Sequence, residues 1–334
     1  MRSDEQINRR GFVATASLAA AGAASWVLGG MRPRRLLAAD QPAGGPWKTR
    51  LHKALIGSPD EKTLTAWKQA GFEGIESTDR GASPEKAAAA RKLADSLGMR
   101  IHSVLYGWAN FNKPDAFEGD IAAVEVALRA CEAYGADALL LVPCRIGGMN
   151  MPQPWEFDIE LDERTGHLRR VVAGDNAPYA DYIRAHDEAV DASRRAIERL
   201  IPTAEKTKVV LAIENVWNNL FVKPAVLAHF VRSFASPWVQ TYFDIGNHVK
   251  YAPPEEWIQA LGKTIVKCHV KDFKLNPDGR GGTFVDIRDG SVDWPSVRRQ
   301  LETIGYSGWM TIEGSDGLSL DERSRRLDLI VAGK

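Results

Sequence analysis

From residue 51 onward, short blocks of branched apolar residues alternate with longer amphipathic stretches. The blocks are LHKALIG (51–57), FEGIES (72–77), MRIHSVLY (99–106), DALLLVP (137–143), KVVLAIEN (208–215), VQTYFDIGN (239–247), TIVKCHVKDF (264–273) and GWMTIEG (308–314). Each is too short for a buried helix and rich in β-formers, so each is expected to be a strand. The stretches between them carry helix punctuation. Ser58 with Pro59, and Ser83 with Pro84, read as a cap followed by proline at the first helical position. Gly98 and Gly135 read as helix ends. Further helices are expected over 120–135, 179–206, 223–234, 253–262, 293–305 and 319–333. Two segments, 144–178 and 273–292, are rich in Gly, Pro and charge without clear periodicity. Loops of that length are often lids or binding loops.

Eight strand–helix units in about 280 residues predict a TIM (β/α)8 barrel. A doubly wound sheet is the competing architecture. It usually has fewer units and a Gly-rich phosphate turn after its first strand. Here the first strand runs into IGSPDEK, with no G-x-G-x-x-G.

Barrel enzymes carry their chemistry at the carboxyl ends of the strands. The last four strands end in or near Glu214, Asp244, His269 and Glu313. Side-chain parity makes them converge. Val210, Ala212 and Glu214 share one face, while Val209, Leu211 and Ile213 share the other and suit the helix layer. Tyr242 goes with Asp244, Thr311 with Glu313, and Lys267 and Lys271 with His269. Three uncompensated carboxylates around one axis would repel and rise in pKa. One divalent cation resolves this. Three oxygen ligands with one imidazole suit Mn2+, Co2+, Zn2+ or Mg2+, with positions left for substrate.

The stretches AIENVWNN, YFDIGN, KCHVKDF and TIEG, in this order, resemble the xylose isomerase-like TIM barrels. The likeness is to sugar-phosphate isomerases and epimerases of the L-ribulose/L-xylulose 5-phosphate 3-epimerase and hydroxypyruvate isomerase type, over residues 51 to about 330. It implies one divalent metal held by Glu214, Asp244, His269 and Glu313. It also implies that Glu214 and Glu313 form the acid/base pair. A 2-ketose bound through its C2 carbonyl and C3 hydroxyl would then lose the C3 proton to one glutamate, pass through a metal-bound enediolate, and regain a proton from the other. Proton movement between C1 and C2 would give aldose–ketose isomerisation instead. Relatives that place a histidine three residues after the ligand Asp differ from this chain, which has Asn247 there.

Other inward-facing residues allow two readings each. Glu76 orients a ligand or binds a substrate hydroxyl. His102 binds a sugar hydroxyl or belongs to the core. Trp108 and Trp217 wall the sugar or pack the fold. Asn247 or His248 reaches the substrate. Lys271 polarises a substrate oxygen or pairs with Asp272. Arg145 and Arg288 bind an anionic group or face solvent.

The N-terminus is a separate unit. Arg9 and Arg10 precede a long Ala- and Gly-rich run that reads as a twin-arginine export signal, with cleavage near Ala38–Ala39. A membrane anchor is the alternative, but the run's Ala, Gly and Ser content makes a poor span. The division expected is signal and linker over 1–46 and a single catalytic domain over 47–334, in a periplasmic or extracellular protein. Export argues for a non-phosphorylated sugar, because sugar phosphates are cytosolic metabolites.

Composition narrows the field further. Lys+Arg and Asp+Glu number 43 each, for zero net charge, so no basic footprint for nucleic acid is present. That balance, and seven histidines, argue against a multinuclear apurinic-type endonuclease. No membrane association is expected after signal cleavage, and a homo-oligomer is allowed. Cys131, Cys144 and Cys268 are odd in number and lack metal spacing, so packed thiols are expected. The small-molecule partner is a sugar. An alternative to epimerisation keeps the metal and the glutamates but makes the chain a lyase or hydratase of 3-keto-sugars or keto-glycosides. A non-catalytic sugar-binding barrel is the remaining class.

Overall fold

The alternating blocks settle into strands because each has one face for the barrel interior and another for the helix layer. The computed structural model describes residues 46–334, and Trp47–Lys334 form one compact unit. The export signal and all but the last residue of the expected linker lie outside the described residues. In chain order the elements are β1 (Leu51–Gly57), α1 (Glu61–Gln69), β2 (Gly74–Ser77), α2 (Pro84–Ser96), β3 (Arg100–Trp108), α3 (Pro114–Tyr134) and β4 (Ala138–Val142). Then come β5 (Glu160–Leu161), β6 (Leu168–Arg170), α4 (Ala180–Thr207), β7 (Val210–Glu214), α5 (Pro224–Arg232), β8 (Val239–Asp244) and α6 (Pro254–Leu261). The last are β9 (Ile265–Val270), β10 (Asp272–Leu275), β11 (Gly282–Val285), α7 (Trp294–Thr303), β12 (Gly308–Ile312) and α8 (Leu320–Val331).

Eight parallel strands close into a barrel in the order β1-β12-β9-β8-β7-β4-β3-β2, with β2 returning to β1. Parity decides what each side buries. Leu139, Leu141, Leu211, Ile213 and Phe243 pack under the helices. Ala138, Leu140, Val142, Ala212 and Tyr242 fill the barrel interior. Full burial of one such aliphatic side chain is worth about 1.5–3 kcal/mol. On β9, Lys267 and His269 both face inward but at different depths. Lys267 is ion-paired with Asp137 just before β4, near the amino end of the strands. His269 lies two residues on, at the carboxyl end.

Several local expectations are corrected. The cap of α1 is Asp60, whose side chain accepts from Thr63 N, and not Ser58. The helix expected from residue 120 begins at Pro114. Gly119 sits inside it with open space where a side chain would be. The modest helix penalty of glycine is outweighed because α3 packs against both α2 and α4. The strand expected over 264–273 divides at Lys271, because Asp272 turns its carboxylate into the following loop. The two long segments are not structureless. Residues 144–178 contain the β5–β6 hairpin, and β10–β11 form a second antiparallel hairpin. All three cysteines are buried and free, as packed thiols should be.

Candidate metal centre

Strands β7, β8, β9 and β12 bring four side chains to one point at the barrel mouth. One ligand atom from each of Glu214, Asp244, His269 and Glu313 lies within 4.8 Å of all the others. His269 Nδ1 is the hub. It is 3.2 Å from Glu214 Oε1, 3.1 Å from Glu313 Oε2 and 3.9 Å from Asp244 Oδ2. Asp244 and His269 are almost fully buried, and Glu214 is little less so, whereas about a third of the Glu313 side chain is exposed. Glu313 therefore faces the entrance.

The backbone fixes Asp244 with unusual thoroughness. Its Oδ1 accepts from Gly246 N at 2.8 Å and Asn247 N at 2.6 Å. Its own backbone is gripped by the Asn215 amide, which donates to Asp244 O and accepts from Asp244 N, each at 2.7 Å. Gly246 has to be glycine, because a Cβ there would lie 2.5 Å from Lys271 O. The other oxygen, Oδ2, is buried with no hydrogen-bond partner. An orphaned carboxylate oxygen among three acids and an imidazole is what a bound cation would satisfy. The donor set fits one divalent ion.

A further carboxylate sets the imidazole. Glu76 Oε2 lies 2.7 Å from His269 Nε2 and also accepts the Tyr242 hydroxyl at 2.8 Å. Glu76 is fully buried. An N–H donated from Nε2 to Glu76 leaves the Nδ1 lone pair directed at the other three ligands, the usual carboxylate–histidine–metal relay. Of the two roles open to Glu76, orienting a ligand is the one its contacts match.

The electrostatics are those of crowded acids. Burial raises Glu214 above the ordinary carboxylate range, against the pull of His269. Burial, with Glu313 and Glu214 close by, pushes Asp244 up to about 7 in spite of Lys271. Burial also works to raise Glu313, but His269 and Lys271 hold it well below its usual value. For His269 burial opposes the charged ring, while Glu76, Glu214 and Glu313 drive its pKa well up. A cation at this point would remove the need for protons to neutralise the acids.

Lys271 reaches the same point. Its Nζ is 2.8 Å from Glu313 Oε2, 3.6 Å from Asp244 Oδ2 and 3.2 Å from Asn247 Oδ1. The alternative pairing with Asp272 does not form. Asp272 instead accepts from Phe273 N, Arg288 N, Gly290 N, Val292 N and Trp294 Nε1, organising the loop after β9. Asn247 serves the site through this lysine and through Asp244. Trp217 donates its indole N–H to the Asn247 carbonyl, and its ring lies against Phe284 at 4.9 Å.

Four candidates stand apart from the cluster. His102 has no solvent exposure. Its ring stacks on Trp309 at 4.5 Å, and its nitrogens meet Ser103 and Thr311. Of its two readings, the core one is what these contacts match. His248 is buried between Tyr251 and Trp257 with Nδ1 at Asn215, and burial lowers it to about 3. Its place is also in the core. Trp108 is exposed on the rim with the Arg145 guanidinium 4.1 Å from its ring centre. Arg288 is exposed, and what it gives the loop is a backbone N–H to Asp272 at a φ of 76°.

Sequence reasoning missed the aromatic partner Phe284, the loop anchor Asp272 and the Tyr242–Glu76 bond. Phe284 and Asp272 lie in or beside a segment without periodicity. The Tyr242–Glu76 bond joins residues 166 positions apart, and a single sequence carries no signal of that pairing.

Comparison with known proteins agrees with this architecture. Over 138 residues the chain is 31% identical to L-ribulose-5-phosphate 3-epimerase UlaE of Salmonella paratyphi A, and 32% identical to that of Salmonella paratyphi C (strain RKS4594). Each match covers 40% of this chain and spans 45% of the relative's length. Among solved structures, 3-keto-D-glucoside 4-epimerase YcjR from E. coli superposes with a TM-score of 0.62 at 11% identity. That match covers 85% of this chain and 99% of YcjR. A D-tagatose 3-epimerase-like protein gives 0.62 at 16% identity, covering 84% and 98%. These likenesses show a shared fold. A family model described as xylose isomerase-like TIM barrel matches residues 64–328. With its closed parallel barrel, the chain belongs to the xylose isomerase-like TIM barrel family.

Proposed function

We propose that this chain is a divalent-metal-dependent sugar isomerase of the ketose 3-epimerase type, with a non-phosphorylated sugar as substrate. The observation that carries the proposal is the convergence of Glu214 and Glu313, from separate strands, on His269 Nδ1 at 3.2 and 3.1 Å. Two carboxylates held at one centre can each exchange a proton with a carbon bound there. A divalent cation bound by Glu214, Asp244, His269 and Glu313 would supply the Lewis acidity that makes a C–H beside a carbonyl removable.

The remaining work falls to the chain itself. One glutamate takes the proton from one face of the sugar and the other returns a proton to the opposite face, inverting the carbon. Lys271, hydrogen-bonded to Asn247, is placed to hold a sugar oxygen beside Glu313. Burial of Glu214 and Asp244 limits competing water. The epimerase relatives in sequence, and epimerases among the structures sharing the fold, support the reaction class. The absence of phosphate from the substrate, and a place outside the cytoplasm, rest on the twin-arginine reading of the N-terminus.

Incubation of the metal-loaded protein in D2O with free ketoses tests the proposal. Solvent deuterium at C3 together with the C3 epimer is the expected result. Deuterium exchange and epimer are both expected to vanish in Glu214→Gln and Glu313→Gln. Aglycone release or hydration of a 3-keto-glycoside without any epimer would replace this reading with the lyase one. Turnover unchanged in both variants would remove the catalytic role of the glutamates.

A further inference from the structure

The loop from β8 to α6 carries one residue that its surroundings do not balance. Over 241–252 every residue is buried except Lys250, which is half-buried. The backbone on either side is fixed. Tyr251 N and Ala252 N donate to His248 O at 2.8 and 3.1 Å, and Lys223 Nζ donates to Tyr251 O at 2.8 Å. Lys250 is therefore presented by a braced loop. Its ammonium lies 3.2 Å from the Trp217 ring centre and 5.1 Å from that of Tyr251. Phe284 packs on Trp217 at 4.9 Å, with its own ring centre 5.1 Å from Lys271 Nζ. Lys271, Phe284, Trp217 and Lys250 thus form one continuous side of the mouth, leading away from the candidate metal centre.

Five lysines of the described residues are partly or fully buried: Lys53, Lys223, Lys250, Lys267 and Lys271. Lys53, Lys267 and Lys271 each pair with a carboxylate, and Lys223 lies in the field of Glu256 and Asp158. Lys250 alone among them has no acid acting on it, and burial by itself lowers its pKa to about 8. An indole face offsets part of the cost of half-burying an ammonium but supplies no counter-charge. A bound anion would supply it.

We infer that Lys250 receives a carboxylate at the far end of the substrate, so that the sugar is a hexulosuronate, a 2-ketose whose last carbon is an acid. The inference rests on the proposed function and names its substrate class. Such an acid keeps the C2 carbonyl and the C3 proton that the proposed chemistry uses. The straight line from Lys271 to Lys250 is shorter than the path through Phe284 and Trp217. A six-carbon chain of roughly 6 Å, with a hydrogen bond at each end, is of comparable length. One ammonium also matches one negative charge. No second cation acts on Lys250. Arg280 of the β10–β11 hairpin is engaged elsewhere, 5.5 Å from the ring centre of Trp155 in the insertion between β4 and α4, where the two long insertions meet. A carboxylate suits this place better than a dianionic phosphate, which takes several donors.

Isothermal titration calorimetry on the metal-loaded protein tests this with D-fructose, D-fructuronate and D-fructose 6-phosphate, which differ only at the last carbon. D-Fructuronate is expected to bind about tenfold tighter than D-fructose at low salt, with the margin narrowing as salt rises. Lys250→Met, which keeps the apolar stem over Trp217, should erase that margin. Lys250→Arg, which keeps the charge, should preserve most of it. Should the thermal midpoint of Lys250→Met fall, Lys250→Gln against Lys250→Arg decides by the same ratio. Equal affinity for the acid and D-fructose, a margin that survives Lys250→Met, an equal loss for all three sugars, or tightest binding of the phosphate overturns the inference. Deuterium judges the underlying reading separately. A Lys250-dependent margin without exchange at C3 of any ketose leaves the carboxylate site standing and removes the epimerase reading. Exchange into D-fructose without any margin does the reverse.

Discussion

At the residue scale, the four candidate ligands were legible because parity and strand ends are local properties. Glu214 follows Val210 and Ala212 on the same face, so its inward direction could be read from five residues. The supports of those ligands were less legible. Asn215 was readable as a supporting residue, but its pair of hydrogen bonds to the Asp244 backbone appears only when β7 and β8 are paired. His102 and His248 show the opposite problem, since an inward histidine in a core has the same sequence appearance as one in a site. Two predictions belong here. Glu76→Gln should weaken metal affinity about 10–100-fold, the usual effect of losing a carboxylate behind a ligand histidine, with the fold retained; a competition assay against a chromogenic chelator measures it. Asn215→Ala removes both hydrogen bonds to the Asp244 backbone and the contact with His248, and should cost about 2 kcal/mol or more in a denaturant titration.

At the element scale, the strands and most helices follow from hydrophobic period and capping residues. The hairpin after β9 does not, because Asp272 imposes it through five donors contributed by residues up to 22 positions away. Asp272→Ala should therefore strip protection from the 273–292 amides in hydrogen exchange and cost about 3 kcal/mol or more. The joint between Lys48–Thr49 and α7 gives a pH-dependent test. Burial alone would raise Glu302, but bonds from Thr49, Lys48 and Arg298 hold it down to about 2 from 4.5. A carboxyl depressed in the folded state stabilises fully above its unfolded pKa and loses that contribution as pH falls through the folded value. The stability gap between the wild-type chain and Glu302→Gln should thus be full at pH 6 and shrink between about 4.5 and 2, as read from thermal midpoints across that range.

At the scale of the whole molecule, the barrel explains why residues 214, 244, 269 and 313 share a site. A closed ring of parallel strands brings every carboxyl end to one face, and consecutive strands on the last half of the ring supply all four candidate ligands. The rhythm of eight units made this readable. The meeting of the two insertions was not, since nothing in GRGGTFVD announces that Arg280 will reach Trp155. A molecule whose mouth crowds three acids together should also be more stable with a divalent cation than without one. At a free Mn2+ concentration of about 100 times the dissociation constant, the expected gain is about 2.7 kcal/mol, visible as a rise in thermal midpoint that chelation reverses.

The most direct measurement is the stoichiometry of that cation. Titration of the protein with Mn2+, followed by the electron paramagnetic resonance of the free ion, should show one tight site per chain, lost in both Asp244→Ala and His269→Ala. One tight site that survives both substitutions, or no tight site for any divalent ion in a folded chain, would contradict the account.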